Sequence, residues 1–208
     1  MNYRHIVFDV DGTLLDSAHA DLQALQDTVA QLTGRTVPIP ELVFSQGIPG
    51  PDTLKRLGMD HLPQALPLWT QNVGKYEHTV SLFDGIRETV EALASQCTLG
   101  IVTSRTREEL NLLLPRFGLE SYFSVTVCTD DTGKHKPDPA PLLQYMALAG
   151  ASPEETLYVG DSVHDSQCSH GAGVDFALAL WGTFDPSIRA EYRLSEPSRI
   201  LSLPDKAL

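Results

Sequence analysis

Five short apolar runs, at residues 5–9, 98–103, 125–128, 156–160 and 176–180, punctuate the chain, and each is rich in β-branched or aromatic residues. Runs of this length with no polar alternation match strands buried on both faces inside a parallel sheet. Helical patterns fill the intervals between the later runs. "DGIRETVEALAS" sets Ile86, Val90 and Leu93 on one face, and "TREELNLLLPRFG" and "PAPLLQYMALAG" follow the next strands. Strands that alternate with helices need crossover connections, which build a doubly wound parallel α/β sheet.

The first interval breaks this rhythm. About eighty residues separate the first two runs and contain no convincing strand, so residues 17–80 are expected to form an inserted helical subdomain. Residues 1–16 and 81–208 then make up the sheet core. Within the insert, residues 18–33 place Leu22, Leu25, Val29 and Leu32 at helical spacing, and "LPQALPLWTQNVGKYEH" offers a second helix despite Pro67. Between them "SQGIPGPDTLKRLG" reads as a shaped loop entering a short helix. The C-terminal "LSEPSRILSLPDKAL" reads as a closing helix and a tail.

Bulk properties narrow the partners. A chain of 208 residues with 42% hydrophobic content can bury a substantial core, and a net charge of −12 without a basic patch disfavours nucleic acid. No stretch approaches the roughly 18 apolar residues of a membrane span, and the N-terminus is too short in apolar residues for a signal peptide. Cys97, Cys128 and Cys168 are odd in number and lack a CxxC pair, which suits free thiols in a reducing cytoplasm. A soluble cytoplasmic protein, monomeric or a small homo-oligomer, is expected.

Four stretches follow strand candidates directly: "DVDGT", "TSR", "KHKPDP" and "GDSVHD". The C-terminal ends of parallel strands share one edge, where ligands bind, so these fragments should converge. Convergence is electrostatically costly. Like charges about 4 Å apart repel by on the order of 4 kcal/mol at an effective dielectric of about 20, and Asp9, Asp11 and Asp161 supply several such pairs. Lys136 supplies one compensating charge. A hard divalent cation preferring oxygen would supply more, and magnesium fits, whereas the lack of histidine or cysteine at these strand ends disfavours zinc.

"DVDGTLLDS" resembles the first motif of the haloacid dehalogenase superfamily, and Thr103, Lys136 and "GDSVHD" fall in order where the other three belong. The resemblance covers nearly the whole chain and is closest in kind to phosphoglycolate phosphatases. It implies a Rossmann-like core with an α-helical cap. It also implies Asp9 as nucleophile forming an aspartyl-phosphate, Asp11 as general acid and base, and Gly12 as the turn that aims both carboxylates. Thr103 and Ser104 would bind phosphate oxygens, and Lys136 would hold Asp9 and the phosphate together. Mg²⁺ would be held by the Asp9 carboxylate, the Asp11 backbone carbonyl and Asp161, with Asp165 behind them orienting a water or Lys136. Two departures stand out: "TSR" replaces the usual asparagine and lysine after the threonine, and "LFDGI" replaces a proline-containing entry to the following helix.

The resemblance points to a magnesium-dependent phosphatase acting on a small phosphorylated metabolite. A sugar phosphomutase of the β-phosphoglucomutase type, a pyrophosphatase and a catalytically silent regulatory binding protein are the alternatives. Taken singly, several of these residues have simpler readings. Thr103 and Ser104 could cap the helix "REELNLLL", the charged face of residues 105–109 reads as solvated, and Trp69, Trp181, His164 and His170 read as packing or surface residues. The core motifs contact phosphate and metal, so selectivity is expected from the insert, through Gly47 in the glycine-proline turn and the pair Lys55 and Arg56.

Overall fold

The computed structural model describes residues 3–203. Its chain runs β1 (His5–Phe8), β2 (Leu15–Asp16), α1 (Ala18–Thr33), α2 (Ile39–Leu42), α3 (Gly50–Arg56), α4 (Ala65–Tyr76), β3 (Ser81–Leu82), α5 (Ile86–Ala94) and β4 (Thr98–Val102). It continues through α6 (Arg107–Leu113), β5 (Phe123–Val127), α7 (Ala140–Ala149), β6 (Thr156–Gly160), α8 (Val163–Gly171), β7 (Asp175–Ala179) and β8 (Tyr192–Leu194). Two compact units result, one holding the chain up to Leu15 and from Leu82 onward, the other Asp16–Ser81.

The first unit is built on a six-stranded sheet in the order β5-β4-β1-β6-β7-β8, with every neighbouring pair parallel. This is the expected α/β architecture. Every residue of β1 and β6 is buried, as a strand covered on both faces demands. The connection leaving β1 leads toward β4 and β5, while those after β6 lead the other way to β7 and β8, so the order reverses between β1 and β6. A crevice at the carboxyl ends of two such strands is where open α/β sheets bind ligands.

Packing beneath the sheet is tight. Val7, Val102, Leu142, Tyr145, Tyr158 and Phe176 belong to one buried cluster. A Cβ on Gly100 of β4 would lie 2.0 Å from the Tyr145 ring, so only glycine lets that ring seat against the strand. The strand positions differ from the sequence reading at their ends: the third begins at Phe123 and the fifth at Asp175. β8 was unforeseen, because its three residues, Tyr192, Arg193 and Leu194, lack an apolar run. The expected closing helix is a 3₁₀ turn at Pro197–Ser202, and residues 204–208 of the tail lie outside the described residues.

The second unit is helical. α1 buries Leu22, Leu25 and Val29 in a cluster with Leu42, Leu54, Met59 and Ala65, against which Leu32 and Trp69 pack. Pro67 sits in the first turn of α4, where its missing N–H breaks no helical bond. β2 and β3, unforeseen in the sequence, pair with each other as a two-stranded ribbon. No described helix is long and apolar enough to cross a membrane.

Candidate active site

The site begins where β1 ends. Asp9 donates its backbone N–H to the Val159 carbonyl on β6 at 2.9 Å, so its side chain emerges at the carboxyl edge, 2% exposed. The chain then turns sharply, Leu14 and Leu15 both donating to the Val10 carbonyl at 2.9 Å. Gly12 makes that turn at φ 76°, a conformation costly for other residues. Space also forbids a side chain there: a Cβ on Gly12 would lie 2.3 Å from an Asp161 oxygen. From the other side, a Cβ on Gly182 would lie 1.8 Å from the Gly12 carbonyl, and Trp181 Nε1 donates to the Thr13 carbonyl at 2.9 Å. The loop after β7 therefore clamps the loop after β1. The Trp181 indole N–H thus holds the turn that follows β1.

The carboxyl end of β6 supplies Asp161 and the first turn of α8. Ser162 caps α8 in a reciprocal box with Asp165, whose Oδ2 accepts from the Ser162 N–H at 3.0 Å and its hydroxyl at 2.6 Å. The other oxygen of Asp165 accepts from Lys136 Nζ at 2.6 Å. Lys136, its side chain 1% exposed, also reaches Asp9 Oδ1 at 3.0 Å. The Tyr158 hydroxyl accepts from Lys136 at 3.2 Å and lies 2.9 Å from the Val102 carbonyl and 3.0 Å from Asp165 Oδ1. Thr13 donates from Oγ1 to Asp161 at 3.2 Å.

Charge at this edge is unbalanced. Burial pushes Asp9 up to about 7 against the pull of Lys136, and the charges of Asp165 and Asp11 add to the rise. Burial, with Asp165 and Asp9 beside it, drives Asp161 well above the usual carboxylate range. Burial would also raise Asp165, but Lys136 and the Ser162 bonds outweigh it and hold Asp165 below its ordinary value. For Lys136 the burial penalty is outweighed by Asp165 and Asp9, so the ammonium stays charged. One buried cation thus faces three buried carboxylates, and oxygens of Asp9, Asp161 and Asp165 lie within 4.8 Å of one another. The donors are all hard oxygens, and Asp165 is already spent on Lys136 and Ser162. The surplus negative charge on Asp9 and Asp161 suits a small divalent cation such as magnesium.

Thr103 lies at the end of β4, its N–H donating to the Val127 carbonyl at 3.0 Å and its hydroxyl accepting from the Arg105 N–H at 3.2 Å. Ser104, half-buried, follows it. Neither caps α6. That role falls to Thr106, in a reciprocal box with Glu109, because its extended backbone aims its oxygen at the Glu109 N–H. The solvated reading of residues 105–109 is overturned as well. Arg107 donates to the Thr126 carbonyl at 2.7 Å and pairs with Asp131. Arg105 grips Asp11 with both arms of its guanidinium, Nε to Oδ2 at 2.7 Å and Nη2 to Oδ1 at 2.6 Å. The sequence reading missed Arg105 and Tyr158. For Arg105 the signal was its position, two residues beyond Thr103 on a loop leaving the carboxyl edge of the sheet.

The core unit thus brings together Asp9, Gly12, Lys136, Asp161 and Asp165, with Asp11 joined through Arg105 to the Thr103 loop. Gly47, Lys55 and Arg56 belong to the helical unit. There Gly47 turns at φ 79°, Lys55 and Arg56 are exposed, and the Arg56 guanidinium stands 5.8 Å from the centre of the Phe44 ring.

A family model of haloacid dehalogenase-like hydrolases matches residues 6–179, from the strand before Asp9 to the end of β7. The chain belongs to that family. It is 31% identical over 210 residues to the pyrophosphatase PpaX of Halalkalibacterium halodurans, covering 99% of this chain and 95% of that protein. It is 32% identical over 218 residues to a phosphoglycolate phosphatase of Xylella fastidiosa, covering 97% and 93%. Among solved structures, a protein from Lactobacillus plantarum provisionally described as a phosphoglycolate phosphatase superposes with a TM-score of 0.88 at 31% identity, covering 97% and 99%. These likenesses span both units of the chain.

Proposed function

We propose that this haloacid dehalogenase-like hydrolase is a magnesium-dependent phosphatase that cleaves a small phosphate monoester through an aspartyl-phosphate. The observation that carries the reading is Asp9, buried at the carboxyl end of β1, held at one oxygen by Lys136 and crowded by Asp161 and Asp165. A carboxylate is a weak nucleophile, so fixed orientation and neutralised charge must supply most of the acceleration. Lys136 does both for Asp9. An Asp9 oxygen attacks phosphorus as the bond to the leaving oxygen breaks, and Asp11 gives that oxygen a proton. Asp11 then takes a proton from water as the water oxygen attacks the phosphoryl group, returning Asp9 and releasing phosphate. Thr103 and Ser104 donate to the phosphate oxygens. Asp9, Asp161 and the Asp11 backbone carbonyl would hold magnesium, which would supply positive charge against the phosphate.

The PpaX relatives favour pyrophosphate as a second substrate reading, since its second phosphoryl group would occupy the place of an ester leaving group. The three free thiols, Cys97 half-buried and Cys128 and Cys168 buried, support a cytoplasmic setting.

Hydrolysis of a panel of phosphorylated metabolites and pyrophosphate, with and without magnesium, tests the proposal. Stripping divalent cations with a chelator is expected to abolish turnover and added magnesium to restore it. Calcium should substitute poorly because its shell is larger and looser. Full activity in cation-free protein overturns the reading.

We further assign part of substrate selection to the helical unit acting as a cap, through the Gly47 turn and the exposed cations Lys55 and Arg56. Replacing Lys55 and Arg56 together by alanine is expected to raise KM for the best substrate by about tenfold, roughly 1.4 kcal/mol, while sparing a substrate with an uncharged leaving group. Equal effects on both substrates remove these side chains from the assignment.

A further inference from the structure

We infer that Arg105 reads a second anionic group, a carboxylate or phosphate carried on the leaving-group side of the substrate. The inference rests on the phosphatase reading and narrows it to a substrate class. Arg105 is held at both ends of its backbone: its N–H donates to Thr103 Oγ1 at 3.2 Å, and its carbonyl accepts from the Thr129 N–H at 2.9 Å. From that base the guanidinium projects to Asp11, where two arms meet two oxygens at 2.7 and 2.6 Å. A planar fork on a carboxylate is the arrangement by which arginine also recognises a substrate carboxylate or phosphate.

Lys136 and Arg105 each meet an aspartate of the β1 loop, and they differ in access. Lys136 has a side chain 1% exposed and is spent on Asp9 and Asp165. The Arg105 side chain is 14% exposed and that of Asp11 21%, so this pair can meet a ligand without unpacking the core. An Asp11 oxygen that carries a proton for a leaving oxygen is a weaker acceptor for Arg105 than a carboxylate oxygen. Asp11 must turn one oxygen toward the substrate, and the arm of Arg105 it gives up then needs another acceptor. The leaving group lies beside Asp11 by the nature of the reaction. A carboxylate or phosphate a few atoms from the leaving oxygen would take that arm and exchange one charge-assisted bond for another. An uncharged leaving group would leave a guanidinium arm unpaired, which is costly at a partly buried site. The core, and not the insert alone, therefore discriminates among phosphate esters.

Binding by the wild-type protein of two phosphonates that it cannot hydrolyse tests this. Calorimetry with magnesium present would compare 3-phosphonopropionate with propylphosphonate, which lacks the carboxylate. The wild type is expected to bind the carboxylated ligand about tenfold tighter. Arg105→Ala and Arg105→Gln should shrink that ratio to about threefold or less, and Arg105→Lys, which keeps charge without the fork, should fall between. Circular dichroism checks that each variant is folded, and the lysine and glutamine variants carry the test should the alanine variant fail to fold. No carboxylate advantage in the wild type, or the same advantage in the variants, overturns the inference. Because the measurement needs no turnover, the two failures are distinguishable: hydrolysis without the preference overturns this inference alone, and an Arg105-dependent preference in a protein that hydrolyses no phosphate ester overturns the phosphatase reading and with it the leaving-group assignment.

Discussion

Asp9→Asn is expected to eliminate phosphoenzyme formation and to lower turnover by about 10⁴-fold or more, on the scale seen when a catalytic nucleophile is removed. The substitution keeps the shape of the side chain and replaces an anionic oxygen with an amide. Lys136 loses its ionic contact with Asp9 but keeps Asp165 at 2.6 Å, so the buried ammonium retains a charged partner and the fold should survive. Steady-state hydrolysis together with mass detection of a phosphorylated Asp9 measures the effect. Turnover within tenfold of wild type would remove Asp9 from the nucleophile role.

Lys136→Met is expected to cost about 3–5 kcal/mol of folding stability at neutral pH, the penalty of leaving buried charges without their partner. Lys136 is the cation between Asp9 and Asp165, and Asp161 lies within the same group of oxygens. The sign of the pH dependence follows from Asp9. Its carboxyl is raised from an ordinary 3.8 to about 7, so keeping it ionised costs folding stability that grows as pH climbs between those values and is full above them. Removing Lys136 takes away the main influence opposing that rise, and the variant should lose more stability at pH 8 than at pH 5. Thermal unfolding of metal-free wild type and variant at the two pH values reads the difference. A loss independent of pH would show that Lys136 stabilises by packing and not by charge.

Strands proved easier to read than the contacts between them. Residues 156–160 form β6 at the expected positions because all five are buried and all five are apolar or small enough to show it. β8 stayed hidden, since Tyr192, Arg193 and Leu194 form a strand by pairing with β7 at the sheet edge, where one buried leucine suffices. Thr106 was overlooked as the cap of α6 in favour of Thr103 and Ser104. All three residues can cap, and the choice depends on which backbone is extended just ahead of the helix. Arg105 was assigned to solvent for a similar reason. A charged residue on a loop just ahead of a helix has no local pattern that distinguishes a solvated arm from one that crosses to Asp11, 94 positions away.

The sequence alone determined the parallel α/β core and the family, and it offered the helical insert and the acidic residues with Lys136 as candidates. Each of these is carried by local patterns: apolar runs of strand length, helical periodicity, and short motifs directly after strands. Only the tertiary structure decided how the charges pair. Reversal of the strand order between β1 and β6 sets Asp9 beside Asp161 and Asp165, the Trp181–Gly182 segment clamps the turn at Gly12, and Arg105 meets Asp11 across the edge. Ion pairing and burial depend on distances between residues remote in the chain, and those distances exist only once the sheet has assembled.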